Sequence, residues 1–196
     1  MASPATRPDV RYTYADYLTW PDNERWEIIE GVPYAMSPAP GRKHQAMNRV
    51  LLRTIANFLV ETGGPCQVYT APFDVRLPKE NKAEKETDTV VQPDLVIICD
   101  KRKLDAQGCL GAPDMVIEIA SPSTIRKDMV EKLKLYEKHK VKEYWLVLPG
   151  ERIVSVYCLN EQNCYDKPEV YTADDQAPVK TLEGLMISLD EVFAAE

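Results

Sequence analysis

No apolar run in this 196-residue chain approaches the roughly 18 residues a membrane-spanning helix needs, so a helical membrane protein is not expected. Histidine occurs twice and cysteine five times, at Cys66, Cys99, Cys109, Cys158 and Cys164, with no Cys-x-x-Cys spacing. These counts argue against a zinc site or a His-rich centre, and the odd number of cysteines argues for reduced thiols in a cytoplasmic protein. Positive charge is also short: 24 Lys and Arg face 31 Asp and Glu, giving a net charge of −7. Broad, non-specific attraction to nucleic acid depends on basic surface and is not expected. An enzyme that meets phosphates through a metal and a local basic patch is still compatible with this charge. Residues 1–9 lack the apolar core of a secretory signal and read as a disordered lead-in. No repeat, low-complexity stretch or linker interrupts the rest, so one domain over 1–196 is expected.

Against these absences stand two short apolar runs that each carry an acid. They are Pro93-Asp94-Leu95-Val96-Ile97-Ile98 and Met115-Val116-Ile117-Glu118-Ile119-Ala120. Runs of this length, rich in Val and Ile, read as buried strands. A carboxylate inside one is costly unless paired, hydrogen-bonded or bound to metal. Two of them about 4 Å apart would repel by roughly 4 kcal/mol at an effective dielectric of 20. A divalent cation removes that repulsion, and hard oxygen ligands suit Mg²⁺ or Mn²⁺. Side chains alternate along a strand, so Glu118 shares a face with Val116 and Ala120, and Asp94 with Val96 and Ile98.

Around these runs the chain alternates between strand and helix patterns. A short helix is expected within 12–20, then a hairpin from 25–30 and 34–36. His44, Met47, Leu51, Ile55 and Phe58 repeat at about 100° per residue, the period of a helix that ends at Gly63-Gly64-Pro65. His44 is either a core-edge histidine satisfied by a carbonyl or a site residue at the helix mouth. A strand is expected over 68–77, then a charged loop over 79–89. After the two acid-bearing strands come a helix over 125–139, strands over 141–149 and 152–159, an antiparallel extension within 161–180 and a capped helix from Ser188. Hairpin-linked strands with a crossover helix predict one mixed sheet with helices against it.

On the 125–139 helix wheel, Ile125, Met129, Leu133, Leu135 and Tyr136 form the apolar arc. Lys132 falls inside that arc, with Asp128 one turn before it. A lysine there is a snorkelling stem, a simple partner of Asp128, or an ammonium reaching towards Asp94 and Glu118. In the last case it would stabilise charge on a phosphate or orient a water.

Pro93-Asp94, then Glu118 within an apolar strand and a helix after it, resembles the PD-(D/E)XK nuclease superfamily. Further pieces are similar to its Uma-two family of putative restriction endonucleases: Glu27-Ile28-Ile29-Glu30-Gly31, Pro38-x-Pro40 with His44, Ala112 to Glu118 with Ser121-Pro122-Ser123, Lys132-Leu133-x-x-Tyr136, and Val141-x-Glu143-Tyr144-Trp145. The resemblance implies an α/β fold with a mixed sheet: a restriction-endonuclease-like core ordered helix-strand-strand-strand-helix-strand, with N- and C-terminal β extensions. It implies a Mg²⁺- or Mn²⁺-dependent DNA endonuclease in which Asp94 and Glu118 bind metal. The superfamily lysine, two residues after the glutamate, is replaced here by Ala120, and the following helix would supply Lys132 instead. Glu30, His44 and Asp128 are accessory candidates, DNA is the implied substrate, and a homodimer would suit cleavage of both strands. The alternatives are a non-catalytic nucleic-acid or protein-interaction domain on the same fold, and a two-carboxylate glycosidase.

Overall fold

In the computed structural model, which describes residues 10–21, 23–36, 39–79 and 82–195, the two acid-bearing strands lie side by side. The lead-in expected over 1–9 lies outside those residues. Helix α1 (Tyr14–Tyr17) precedes a hairpin of β1 (Trp26–Ile29) and β2 (Val32–Ala35), then α2 (Arg42–Thr62). Strands β3 (Gln67–Thr70), β4 (Val75–Arg76), β5 (Val90–Val91) and β6 (Leu95–Ile98) follow. A small ribbon of β7 (Leu104–Asp105) and β8 (Gly108–Leu110) leads to β9 (Met115–Ile119). A π-helical segment (Lys127–Lys132) runs directly into α3 (Leu133–Lys138). Then come β10 (Glu143–Leu148), β11 (Ile153–Cys158), β12 (Glu169–Thr172), a hairpin of β13 (Gln176–Pro178) and β14 (Met186–Ser188), and α4 (Leu189–Ala194).

The architecture is mixed α and β, as expected, but the strands divide into two six-stranded sheets and the β13–β14 hairpin rather than one sheet. The central sheet has the order β12-β11-β10-β9-β6-β3, with β9 and β10 parallel. The second has the order β2-β1-β5-β4-β8-β7. The division falls inside 68–77, read from the sequence as one strand. Pro72, which has no N–H to give a ladder, sits in the break, so β3 joins the central sheet and β4 the second.

β6, β9 and β10 are buried on both faces, hence their near-continuous apolar sequences. One face packs Ile97, Met115, Ile117 and Trp145 against Met47, Leu51 and Ile55 of α2 and Phe193 of α4. The other packs Val96, Val116, Tyr144 and Leu146 against Tyr136 of α3 and Val75 of β4. Each fully buried Val, Leu or Ile contributes about 1.5–3 kcal/mol. A one-residue slip of β9 would reverse its faces and drive Glu118 into the core under α2, so packing fixes the register that positions the acid.

Two further expectations are corrected. The cysteines are not all free: Cys66 and Cys99 form a disulfide. The pairing Gln67↔Ile98 brings them opposite each other across β3 and β6, a register that counting cysteines does not show. The 125–139 wheel also fails at Met129, which is exposed together with Val130, whereas Asp128 and Lys132 are buried. The π segment turns more slowly than the α-helix assumed for the wheel, and this re-aims its side chains. Among the described residues no helix is long and apolar enough to cross a membrane.

Gly108 has φ of +129°, and a Cβ there would overlap the Asp74 carbonyl oxygen that accepts from Cys109 N–H. Gly108→Ala is therefore expected to lower the melting temperature by about 5–10 °C, read by calorimetry. An unchanged transition would show that the β4–β8 crossing is not tight.

Candidate functional site

The antiparallel register of β6 and β9 pairs Leu95 with Ile117, so one step on Asp94 faces Glu118. Both acids line a cavity of about 580 Å³ where the central sheet meets α2, the β1–β2 hairpin and the π segment. Asp94 Oδ2 accepts from Ile119 N–H at 2.8 Å and lies 3.1 Å from His44 Nε2. Glu118 Oε1 accepts from Lys132 Nζ and from the Tyr136 hydroxyl, each at 2.7 Å. The other oxygen of each carboxylate accepts no hydrogen bond among the described residues and is not sealed from the cavity.

Lys132 lies at the back of this pair. Its ammonium is 2.7 Å from Glu118 Oε1, 2.8 Å from Glu27 Oε1 and 4.0 Å from Asp128 Oδ1. Burial works against its charge, but these carboxylates win and hold its pKa well above the ordinary lysine value. Burial pushes the Glu118 carboxyl up, Lys132 opposes this, and Asp128, Asp94 and Glu27 add to the rise. The pair is thus an electrostatic compromise with more negative groups than one ammonium balances. His44 is pulled down by burial, and its bond to Asp94 and that carboxylate's charge raise it overall.

Of the residues singled out in the sequence, Asp94, Glu118, Lys132, His44 and Asp128 all line the one cavity. Glu30 does not. It occupies the β1–β2 turn at φ +50°, half-exposed, and pairs with Lys138 on the surface. Glu27, three residues earlier and not among the candidates, is fully buried. Glu27 Oε2 accepts from Lys127 at 2.7 Å, and Oε1 accepts from the Gln92 backbone N–H at 3.0 Å as well as meeting Lys132. Burial alone would raise this carboxyl; Lys132 and Lys127 overcome it and bring the pKa down to about 2. Its signal in the sequence was the one that marked Glu118, an acid within the apolar run Trp26–Ile29.

Among the described residues no group of three or more His, Cys, Asp or Glu side chains forms a ready cation cage. The donor set instead suits a cation that takes one or two carboxylates and completes its shell with water and phosphate, the habit of Mg²⁺. Two opposed carboxylates, each fixed through one oxygen and open at the other, meet that requirement.

The family model described as "Uma2: Putative restriction endonuclease" matches residues 14–190 of the chain. An uncharacterized protein from Synechocystis sp. is 24% identical over 197 aligned residues, which cover 98% of this chain and 97% of the relative. A crystal structure from Anabaena variabilis, titled a putative nuclease belonging to DUF820, superposes with a TM-score of 0.72 at 23% identity, covering 93% of this chain and 98% of that one. That likeness extends to the fold as a whole.

Proposed function

Because this chain belongs to the Uma2 family of putative restriction endonucleases, we propose that its main cavity is the active site of a metal-dependent nuclease that hydrolyses phosphodiester bonds in DNA. The observation that supports this reading is the meeting of Asp94 and Glu118 from adjacent strands in one cavity. These two residues would hold the cation, with Mg²⁺ or Mn²⁺ as the hard, oxygen-seeking choice. When bound, the cation supplies Lewis-acid polarisation of a phosphate oxygen and activation of water for in-line attack.

The protein's own groups set the stage for that attack. The Ile119 amide and His44 fix Asp94, and Tyr136 and Lys132 fix Glu118, so that each acid presents its remaining oxygen. Lys132, held as an ammonium between two carboxylates, is a poor base. Its role is a fixed positive charge that balances the negative charge gathering on phosphate in the transition state. The small Ala120, buried on the Glu118 face, stands where the superfamily's lysine would be, and Lys132 enters from the helix instead. Glu27 touches no substrate in this scheme; it positions Lys132.

The test uses circular DNA, single- and double-stranded, with Mg²⁺ or Mn²⁺. Cleavage is expected with either metal and is expected to stop on addition of chelator. Mn²⁺ at 100 times its Kd should also stabilise the wild type by about 2.7 kcal/mol, an increment absent from Glu118→Ala. No cleavage of either DNA, together with no metal-induced rise in melting temperature, would sink the proposal.

A further inference from the structure

A second hollow, of about 410 Å³, adjoins the main cavity, and the two share Tyr34 and Glu131 in their walls. Tyr34 and Glu131, which line both hollows, form the partition between them. The Tyr34 ring also carries Lys127 Nζ 5.6 Å from its centroid. Cations stand on both sides: Arg126 in the main cavity, Arg11 and Lys134 in the second hollow. All three are exposed, and none makes an ion pair with a described residue.

Depth limits what can use this arrangement. Glu118 is only 4% exposed and Asp94 lies on the same floor. A phosphate on an intact duplex is carried on a stiff rod, and lowering it into a hollow of this size means taking its nucleotide out of the stack. The net charge of −7 also leaves little of the counterion-release affinity that holds duplexes on proteins. A single strand avoids the first problem, and the second weighs less on it because base stacking supplies part of its affinity. Its backbone bends freely, its bases stack on an aromatic ring whatever their sequence, and a few cations along the track suffice to hold its phosphates.

We infer that the substrate is unpaired nucleic acid, running from the main cavity over Tyr34 into the second hollow. Lys134 and Arg11 hold a phosphate beyond the cleaved one, and Tyr34 stacks on the base between them. This rests on the nuclease reading for the cleaved bond, but not for the binding track.

The experiment separates the two. Fluorescence anisotropy in chelator compares a labelled strand of about 16 nucleotides with the same strand in a blunt duplex. The single strand is expected to bind at least about tenfold tighter. Tyr34→Ala and Lys134→Glu should each weaken that binding severalfold and leave the weak duplex binding unchanged. Lys134 is on the surface, so its variant stays informative if Tyr34→Ala fails to fold. Duplex binding as tight as single-strand binding, or single-strand binding indifferent to Lys134→Glu, overturns the inference. Adding Mn²⁺ then tests cleavage of the same two DNAs. A strand bound over Tyr34 yet never cut refutes the nuclease reading and leaves the track standing. Equal cutting of strand and duplex refutes the track and leaves the nuclease reading standing.

Discussion

Asp94→Asn is expected to slow DNA cleavage by at least about 10³-fold while shifting the melting temperature in metal-free buffer by no more than about 4 °C. The asymmetry follows from how Asp94 is held. Its Oδ2 accepts from the Ile119 amide, and the side-chain oxygen of asparagine can keep that bond. What asparagine cannot keep is the negative charge that would hold a divalent cation beside Glu118. Loss of that charge also removes one source of the repulsion that raises Glu118, so the variant has no reason to be unstable. A gel-based cleavage assay at saturating Mn²⁺ reads the first effect and calorimetry the second. Residual activity within tenfold of wild type would remove Asp94 from the metal site.

Lys132→Met is expected to cost about 3–5 kcal/mol of stability, because it leaves Glu27 and Glu118 buried without the ammonium between them. Burial of Lys132 between two carboxylates means that lost activity in this variant has two causes. A double-mutant cycle separates them. Glu27→Gln together with Lys132→Met should recover part of the stability, giving a coupling energy of about 1–3 kcal/mol, while cleavage stays lost.

The pH dependence has a definite sign. The folded-state pKa of Glu27, about 2, lies below its ordinary 4.5. The unfolded chain therefore takes up the proton first, and the stabilisation is complete above pH 4.5 and lost as pH falls towards 2. In Lys132→Met that depression weakens, so the stability gap between wild type and variant should narrow on acidification through this window. Urea titrations at several pH values read the gap; one that stays constant would mean that Glu27 is not held by Lys132.

The strands that carry Asp94 and Glu118 were legible in the sequence because apolar runs with a lone acid are rare. Their adjacency was not, since the register of β6 on β9 is set by packing spread over the whole sheet. The same rule applied strictly would also have picked Glu143, equally buried in β10. That carboxylate is instead satisfied by the Trp145 indole and the amides of Lys180 and Thr181, and it ties the β13 loop to the sheet. An acid in a greasy strand thus marks a buried polar contact, and only the cavity says which one faces a ligand.

Glu30 and Glu27 illustrate the converse. Both flank the same apolar pair, but Glu30 falls on the left-handed turn residue and points to solvent. Lys132 stood out correctly as a cation within an apolar arc, yet Met129 on that arc is exposed because one π turn changes the period. Local pattern captured most of the longer elements, but not the break inside 68–77 or the β7–β8 ribbon. The facing of side chains across elements, including the Cys66–Cys99 pair, depended on contacts far apart in the chain.

The most direct test is anomalous diffraction at the manganese edge from crystals soaked in Mn²⁺. A cation shared by the two carboxylates gives one peak in the main cavity within coordination distance of both Asp94 and Glu118, lost in Asp94→Asn. Saturating Mn²⁺ with no peak between those carboxylates, or with its only peak elsewhere on the molecule, would contradict that sharing.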